Sequence, residues 1–444
     1  MSQPGQYQVS KDGAYDRKPS TFRDAVKAGS RFEPEAGRYH LHVALACPWA
    51  CGTLSMLYLK GLEDVVSHSI VHPTWQRTEP GKKGDEHCGW VYRSPGDPPL
   101  QSVDGHGSFV CDGALKPDTV SGCSSIRELY EMAGAAPGTT YSTPVLWDSK
   151  LKTIVNNEST EILAMFNSAF GELATKADVD LYPAELEEEL TALNDSTVYP
   201  SINNGVYRSG FARTQAAYEE AIDALFRALD EMEERLASRR FLTGDKFTWL
   251  DLRFFHTLVR FDPVYITYFK TNAKRIADYP NLLGFTRDVY SDAAIARTIN
   301  ISHIKTHYFT SHPHLNTFAI IPTHNGPELT RPSGRAAVRD MVTGLGLSPH
   351  ALAVLRDHGS QRWEIEFGGF LTNHLWHGVV ALAALGASGK LVDDFVAEYT
   401  QKLQPTAPAA TDQSPAAESA LNLGCRQNFR GGLGCTRRRC FHIY

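Results

Sequence analysis

The chain has 444 residues and 49.1 kDa, is 42% hydrophobic and 21% charged, and carries a formal net charge of −6 with a pI near 6.3. That length exceeds one ordinary core and predicts two or three domains, and the apolar fraction excludes wholesale disorder. The acidic balance excludes the broad positive field of a nucleic-acid-binding protein, and the longest apolar runs, such as 378–387, fall short of the roughly 20 residues that span a bilayer. Met1-Ser2-Gln3-Pro4 starts no basic-then-apolar leader, so the expected compartment is the cytoplasm, with reduced thiols. The eight cysteines, at 47, 51, 88, 111, 123, 425, 435 and 440, form neither a zinc-type spacing nor a disulfide framework.

In chain order, residues 1–36 are polar and turn-rich and read as an arm laid over the fold. Arg38 to Ala46 alternates as a strand, with Tyr39, Leu41, Val43 and Leu45 on one side. It runs into Cys47-Pro48-Trp49-Ala50, after which Leu54, Leu57, Tyr58 and Leu62 recur at helical spacing. Val65 to Val71 is a second strand, giving a parallel βαβ unit. Residues 72–121 are Gly-, Pro- and Asp-rich and read as a long insertion. A helix over 126–133, a hairpin of 144–147 with 153–155, and a helix over 157–166 complete the predicted order βαβ, α, ββα, a thioredoxin-like arrangement spanning 37–170. Residues 175–330 form an all-helical domain, with one stripe of Tyr218, Ile222, Leu225, Leu229, Met232 and Leu236, and a cap at Thr248 with Asp251. Residues 331–345 read as a linker, 345–405 as a partial helical segment, and 406–444 as a disordered tail.

Three local patterns carry chemistry. Cys47 sits where a strand meets a helix, and the free N–H groups and positive end of a helix favour a thiolate there. Position 50 is Ala, so no Cys-x-x-Cys pair exists, which points to a single thiol working with a small external thiol. Thr143-Pro144 precedes a strand, where a cis proline would expose backbone groups to an extended peptide. Asn157-Glu158-Ser159 opens a helix, where Ser159 and free amides could hold a carboxylate and Glu158 an ammonium. Taken alone, the last pattern is explained better by simple capping.

Strand, Cys47-Pro48-Trp49-Ala50, Pro144-Val145-Leu146-Trp147-Asp148 and Asn157-Glu158-Ser159 before a helical domain together resemble glutathione transferases with a catalytic cysteine. Arg38-Tyr39-His40-Leu41, Glu86-His87-Cys88-Gly89-Trp90, Asn204-Gly205-Val206-Tyr207, 260–265 and His303-Ile304-Lys305-Thr306-His307-Tyr308 narrow the resemblance to the Xi class, the glutathionyl-hydroquinone reductases. The resemblance covers about 15–325. It implies an α/β thioredoxin-like N-terminal domain followed by an all-α glutathione-transferase C-terminal domain. It also implies glutathione-dependent reduction of glutathionyl-hydroquinones, with glutathione as co-substrate and no metal. By position Cys47 would be the nucleophile, Trp90, Thr143, Pro144, Glu158 and Ser159 the glutathione site, and Tyr207 and Tyr308 the groups facing the hydroquinone. A homodimer is implied as well. The chain departs from the class pattern at Cys51-Gly52, Thr140 and Thr143.

His303 and His307, with His312 and His314 beyond, have a spacing that can bind zinc, but no glutamate lies between the pair in the metalloprotease pattern, and no metal is expected. Residues 345–405, through 366–374, 377–378 and 384–387, resemble the start of questin-oxidase-like proteins, too short a match for a second enzyme. Two rival readings are an omega-like thiol transferase or dehydroascorbate reductase, and a non-catalytic binding protein of the same fold.

Overall fold

The computed structural model describes residues 8–136 and 138–335, together with 390, 391, 394, 395 and 398. Apart from those five positions, the expectations for 345–405 and for the tail lie outside the described residues. A short antiparallel pair, β1 (Gln8–Val9) and β2 (Tyr15–Asp16), starts the arm. β3 (Tyr39–Val43), α1 (Pro48–Leu59) and β4 (Val66–Ile70) form the βαβ unit; β5 (Gln76–Arg77) and β6 (Cys88–Gly89) pair within the long segment before α2 (Ile126–Met132). β7 (Val145–Asp148), β8 (Thr153–Asn156) and α3 (Ser159–Ser168) follow. The main sheet has the order β4-β3-β7-β8, with β3 parallel to β4 and antiparallel to β7. This is the thioredoxin-like topology that the order of elements predicts.

β3 lies buried on both faces. Tyr39, Leu41 and Val43 join α1, α3 and the helical layer in one large core, while Trp75, Trp90, Tyr130, Val145 and Trp147 cover the other face. The strand stops at Val43, three residues before the predicted end. The reason is in the carbonyls: Arg260, fully buried, donates from Nε to the Ala46 carbonyl and from Nη2 to that of Leu45, each at 3.0 Å. Those two groups therefore bond across to the helical layer instead of extending the ladder. Every residue of α1 except Trp49 is buried, because the sheet and α3 cover one side and the helical layer the other. At the far end of β3, Arg38 donates from Nε to Asp148 at 2.9 Å, a buried pair that ties the strand to β7.

The helical layer comprises α4 (Glu187–Leu193), α5 (Gly205–Gly210), α6 (Gln215–Ala237), α7 (Trp249–Arg260), α8 (Ile266–Tyr268), α9 (Pro280–Tyr290), α10 (Ala293–Ala296) and α11 (Ile301–Thr310). α6 buries Leu225, Leu229, Met232 and Leu236 of the predicted stripe, together with Ala221 and Ala228; Tyr218 and Ile222, at its start, are half-buried. The Asp251 carboxylate accepts from the Thr248 amide and hydroxyl and from the Leu242 amide, so the predicted cap also anchors the preceding turn. Periodicity did not predict two wide π turns, Asn194–Asn203 and Phe261–Tyr265. Each contains a proline, Pro200 or Pro263, which cannot donate to an α-helical ladder, and each carries a tyrosine toward the region described next. Among the described residues no helix is long and apolar enough to cross a membrane.

Candidate active site

Cys47 is the N-cap of α1, with extended backbone, and Pro48 takes the first helical position, where a missing N–H costs nothing. The Cys47 thiol is half-buried and lies 3.5 Å from the Thr143 carbonyl across the cavity floor. The Thr143–Pro144 bond is cis, as the sequence suggested. The Thr143 hydroxyl is buried and has no partner. Glu158 caps α3, accepting from the Thr160 amide at 3.3 Å and from the Ser20 hydroxyl of the arm at 2.9 Å; Ser159 is the first residue of that helix.

The helical layer supplies phenols. The hydroxyls of Tyr207, on α5, and Tyr308, on α11, are 2.8 Å apart, and Tyr265 stands behind them with its hydroxyl 3.3 Å from that of Tyr308. Burial raises Tyr207 and Tyr308 well above the ordinary phenol value, so both remain proton donors at neutral pH. His307 stacks on Trp90 with centroids 4.3 Å apart, its Nδ1 3.0 Å from the Pro73 carbonyl; burial pushes its pKa down to about 3, so it is neutral. All eight predicted site residues, Cys47, Trp90, Thr143, Pro144, Glu158, Ser159, Tyr207 and Tyr308, line one cavity of 660 Å³.

The sequence missed several other walls of this cavity. Arg17 and Tyr15 come from the arm, Tyr199 from the first π turn, Arg253 from α7, and Trp75 and His312 from irregular segments. Apart from His312, weighed above only as a metal ligand, none of them stood out in the sequence. Of the spaced histidines, His307 and His312 have ring centroids 5.3 Å apart, and His312 and His314 6.2 Å apart. His303 Nε2 bonds Asp112 at 3.0 Å, His307 stacks on Trp90, and His312 Nδ1 is 2.7 Å from the Tyr268 hydroxyl. A different group, His40, His42 and Asp118, brings possible ligand atoms within 4.8 Å of one another. There both ring nitrogens of His40 already bond serines, Ser67 and Ser69, each at 2.6 Å.

Cys51, one turn beyond Cys47, is fully buried. Its sulfur is 3.1 Å from the Leu45 carbonyl and receives Arg260 Nη2 at 3.1 Å. Burial pushes this thiol up to about 11, in spite of the guanidinium. Cys51 is therefore a packed thiol, not an exposed nucleophile.

The chain is similar to known proteins over about seven-tenths of its length. The glutathionyl-hydroquinone reductase PcpF of Sphingobium chlorophenolicum is 42% identical over 313 residues, covering 70% of this chain and 90% of that protein. The chain belongs to the Xi class of glutathione transferases. A crystal structure of the Xi enzyme of Phanerochaete chrysosporium is 40% identical with a TM-score of 0.62, covering 71% of this chain and 99% of that one. The glutathione-bound structure of YqjG from Escherichia coli K-12 is 39% identical with a TM-score of 0.61, covering 76% of this Xi-class chain and 97% of that one. A family model for the glutathione S-transferase C-terminal domain matches residues 215–288.

Proposed function

We propose that this Xi-class protein reduces glutathionyl-hydroquinones to hydroquinones with glutathione, releasing glutathione disulfide. The observation that carries the reading is that one cavity joins the Cys47 thiol to the Tyr207–Tyr308 phenol pair. The Cys47 thiolate attacks the conjugate's sulfur and forms a disulfide with it. The sulfur–aryl bond breaks, its electron pair passes to the ring carbon, and that carbon takes a proton. Tyr207 and Tyr308, held as neutral phenols, hydrogen-bond the ring oxygens and supply the acidic hydrogen that this step needs. A second glutathione thiolate then attacks the glutathionyl sulfur on Cys47, leaving glutathione disulfide and the free thiolate. Overall, one conjugate and one glutathione give hydroquinone and glutathione disulfide, a two-electron reduction of the conjugate.

The glutathionyl moiety lies against Trp90 and the Thr143-Pro144 backbone, with its glutamyl end at Glu158 and Ser159. A homodimer in the cytoplasm completes the reading, as the class resemblance implies. Glutathione-dependent release of hydroquinone from a purified conjugate tests it. Turnover supports the reading. Exchange of simple mixed disulfides without hydroquinone release would favour the omega-like alternative, and glutathione binding without either reaction would favour a binding protein.

A further inference from the structure

Trp49 is the second residue of α1 and the only one not fully buried. Its indole lies between two guanidiniums, Arg17 at 5.1 Å and Arg253 at 5.0 Å from the ring centroid. Arg17 also lies 5.1 Å from the ring of Tyr207, and Arg253 4.8 Å from that of Tyr199. Both arginines line the cavity.

Their hydrogen bonds go to neutral amides: Arg17 Nε to Asn204 and Arg253 Nη1 to Asn194, each at 3.1 Å. Arg253 Nε is buried and has no partner. Arg17 and Arg253 are half-buried, and the buried arginines of the chain are compensated differently. Arg38 pairs with Asp148 and Arg127 with Asp85, while Arg260 is saturated by carbonyls. Among the described residues no carboxylate lies within ion-pair distance of Arg17 or Arg253. The nearby Glu158 is turned to Ser20 and Thr160 instead. Burial pulls Arg253 below the ordinary guanidinium value, whereas at Arg17 burial is outweighed by the neighbouring phenols and the Cys47 thiol, which raise it. Cation–π contact compensates such a charge only in part, about 0.5–2 kcal/mol per pair, whereas a planar guanidinium fork matches a carboxylate in both charge and geometry.

We propose that Arg17, Trp49 and Arg253 form a carboxylate subsite, and that the preferred conjugate carries a carboxylate on its aromatic ring. The inference rests on the hydroquinone-reductase reading and names its substrate class. The position selects the ring over glutathione as the source. Arg17 lies over the ring of Tyr207, whose hydroxyl belongs to the phenol pair.

The test compares two conjugates that differ in one group, glutathionyl-hydroquinone and a glutathionyl dihydroxybenzoate, on the full chain. The wild type should prefer the carboxylated conjugate by roughly 10-fold or more in kcat/KM, the scale of one charge-assisted contact. Arg17→Gln and Arg253→Gln should each lower the ratio of the two kcat/KM values by about 10-fold, Arg253→Lys by less, and added salt should narrow the ratio. Absence of a wild-type preference, or equal losses on both conjugates, would overturn the proposal; equal losses would assign the arginines to glutathione's own carboxylates. Calorimetry with free dihydroxybenzoate gives a readout independent of turnover. Wild-type binding that either Gln variant loses supports the subsite even if neither conjugate reacts, and binding that the variants keep overturns it. Melting curves of each variant separate loss of the subsite from loss of the fold.

Discussion

Cys47 and Cys51 are one helical turn apart yet differ in everything that governs thiol chemistry. Cys47 opens onto the cavity at the helix start, whereas Cys51 is sealed beneath it against backbone carbonyls and Arg260. Cys51→Ser should therefore keep most hydroquinone-releasing activity; loss of nearly all of it would mean that Cys51 resolves the mixed disulfide. The tyrosines permit a sharper separation. Disulfide exchange needs no protonation of carbon, but release of the hydroquinone does. Tyr207→Phe and Tyr308→Phe should slow release from the conjugate by roughly 10²-fold, as for a lost general acid. Exchange with a simple mixed disulfide should change much less. Equal losses in both assays would make the phenol pair structural.

At the scale of elements, the cavity is closed by joints between segments distant in sequence. Asn157 is one such joint. Its Oδ1 accepts from the Phe22 amide at 2.9 Å and its Nδ2 donates to the Tyr130 hydroxyl at 2.9 Å, linking the arm, α2 and the start of α3. Asn157→Ala should cost about 1–3 kcal/mol, because it leaves the part-buried Phe22 amide without its side-chain partner. It should also raise KM more than it lowers kcat, since Ser20 and Arg17 sit on the loosened arm; an unchanged melting curve and KM would show that the arm is held elsewhere. The same joints explain what the sequence revealed. Cys47-Pro48, Thr143-Pro144 and Asn157-Glu158-Ser159 are legible because each marks a strand or helix end by local chemistry. Tyr207 and Tyr308, on α5 and α11, are 101 positions apart, and only the family resemblance joined them. Arg17 and Arg253 were not read at all, since what matters about them is a missing counter-charge, which only the folded chain reveals. The π turns were missed because their register departs from the 3.6-residue period used to find helices.

At the scale of the whole molecule, the fold buries neutral histidines. His40 and His72 are held at about 4, and His42 and His307 at about 3, each mainly by burial, against an ordinary value of 6.5. Because the folded values are depressed, the unfolded chain takes up protons first as the pH falls. The stability that these residues permit is complete above about pH 6.5 and is lost toward about pH 4 for His40 and His72 and about pH 3 for His42 and His307, at about 1.4 kcal/mol per pH unit for each histidine. Urea midpoints should therefore drop steeply between about pH 6.5 and about pH 5; a flat profile there would contradict this burial. The central claim, that turnover passes through a glutathionyl disulfide on Cys47, is tested most directly in a single turnover without added glutathione. The Cys51→Ser variant, which leaves one thiol on that peptide, is mixed with an equimolar glutathionyl-hydroquinone, and both hydroquinone and protein mass are followed. The account predicts stoichiometric release of hydroquinone together with one glutathionyl adduct on the peptide bearing Cys47, reversed by glutathione. Hydroquinone release with Cys47 unmodified, or continued release after Cys47→Ser, would contradict it.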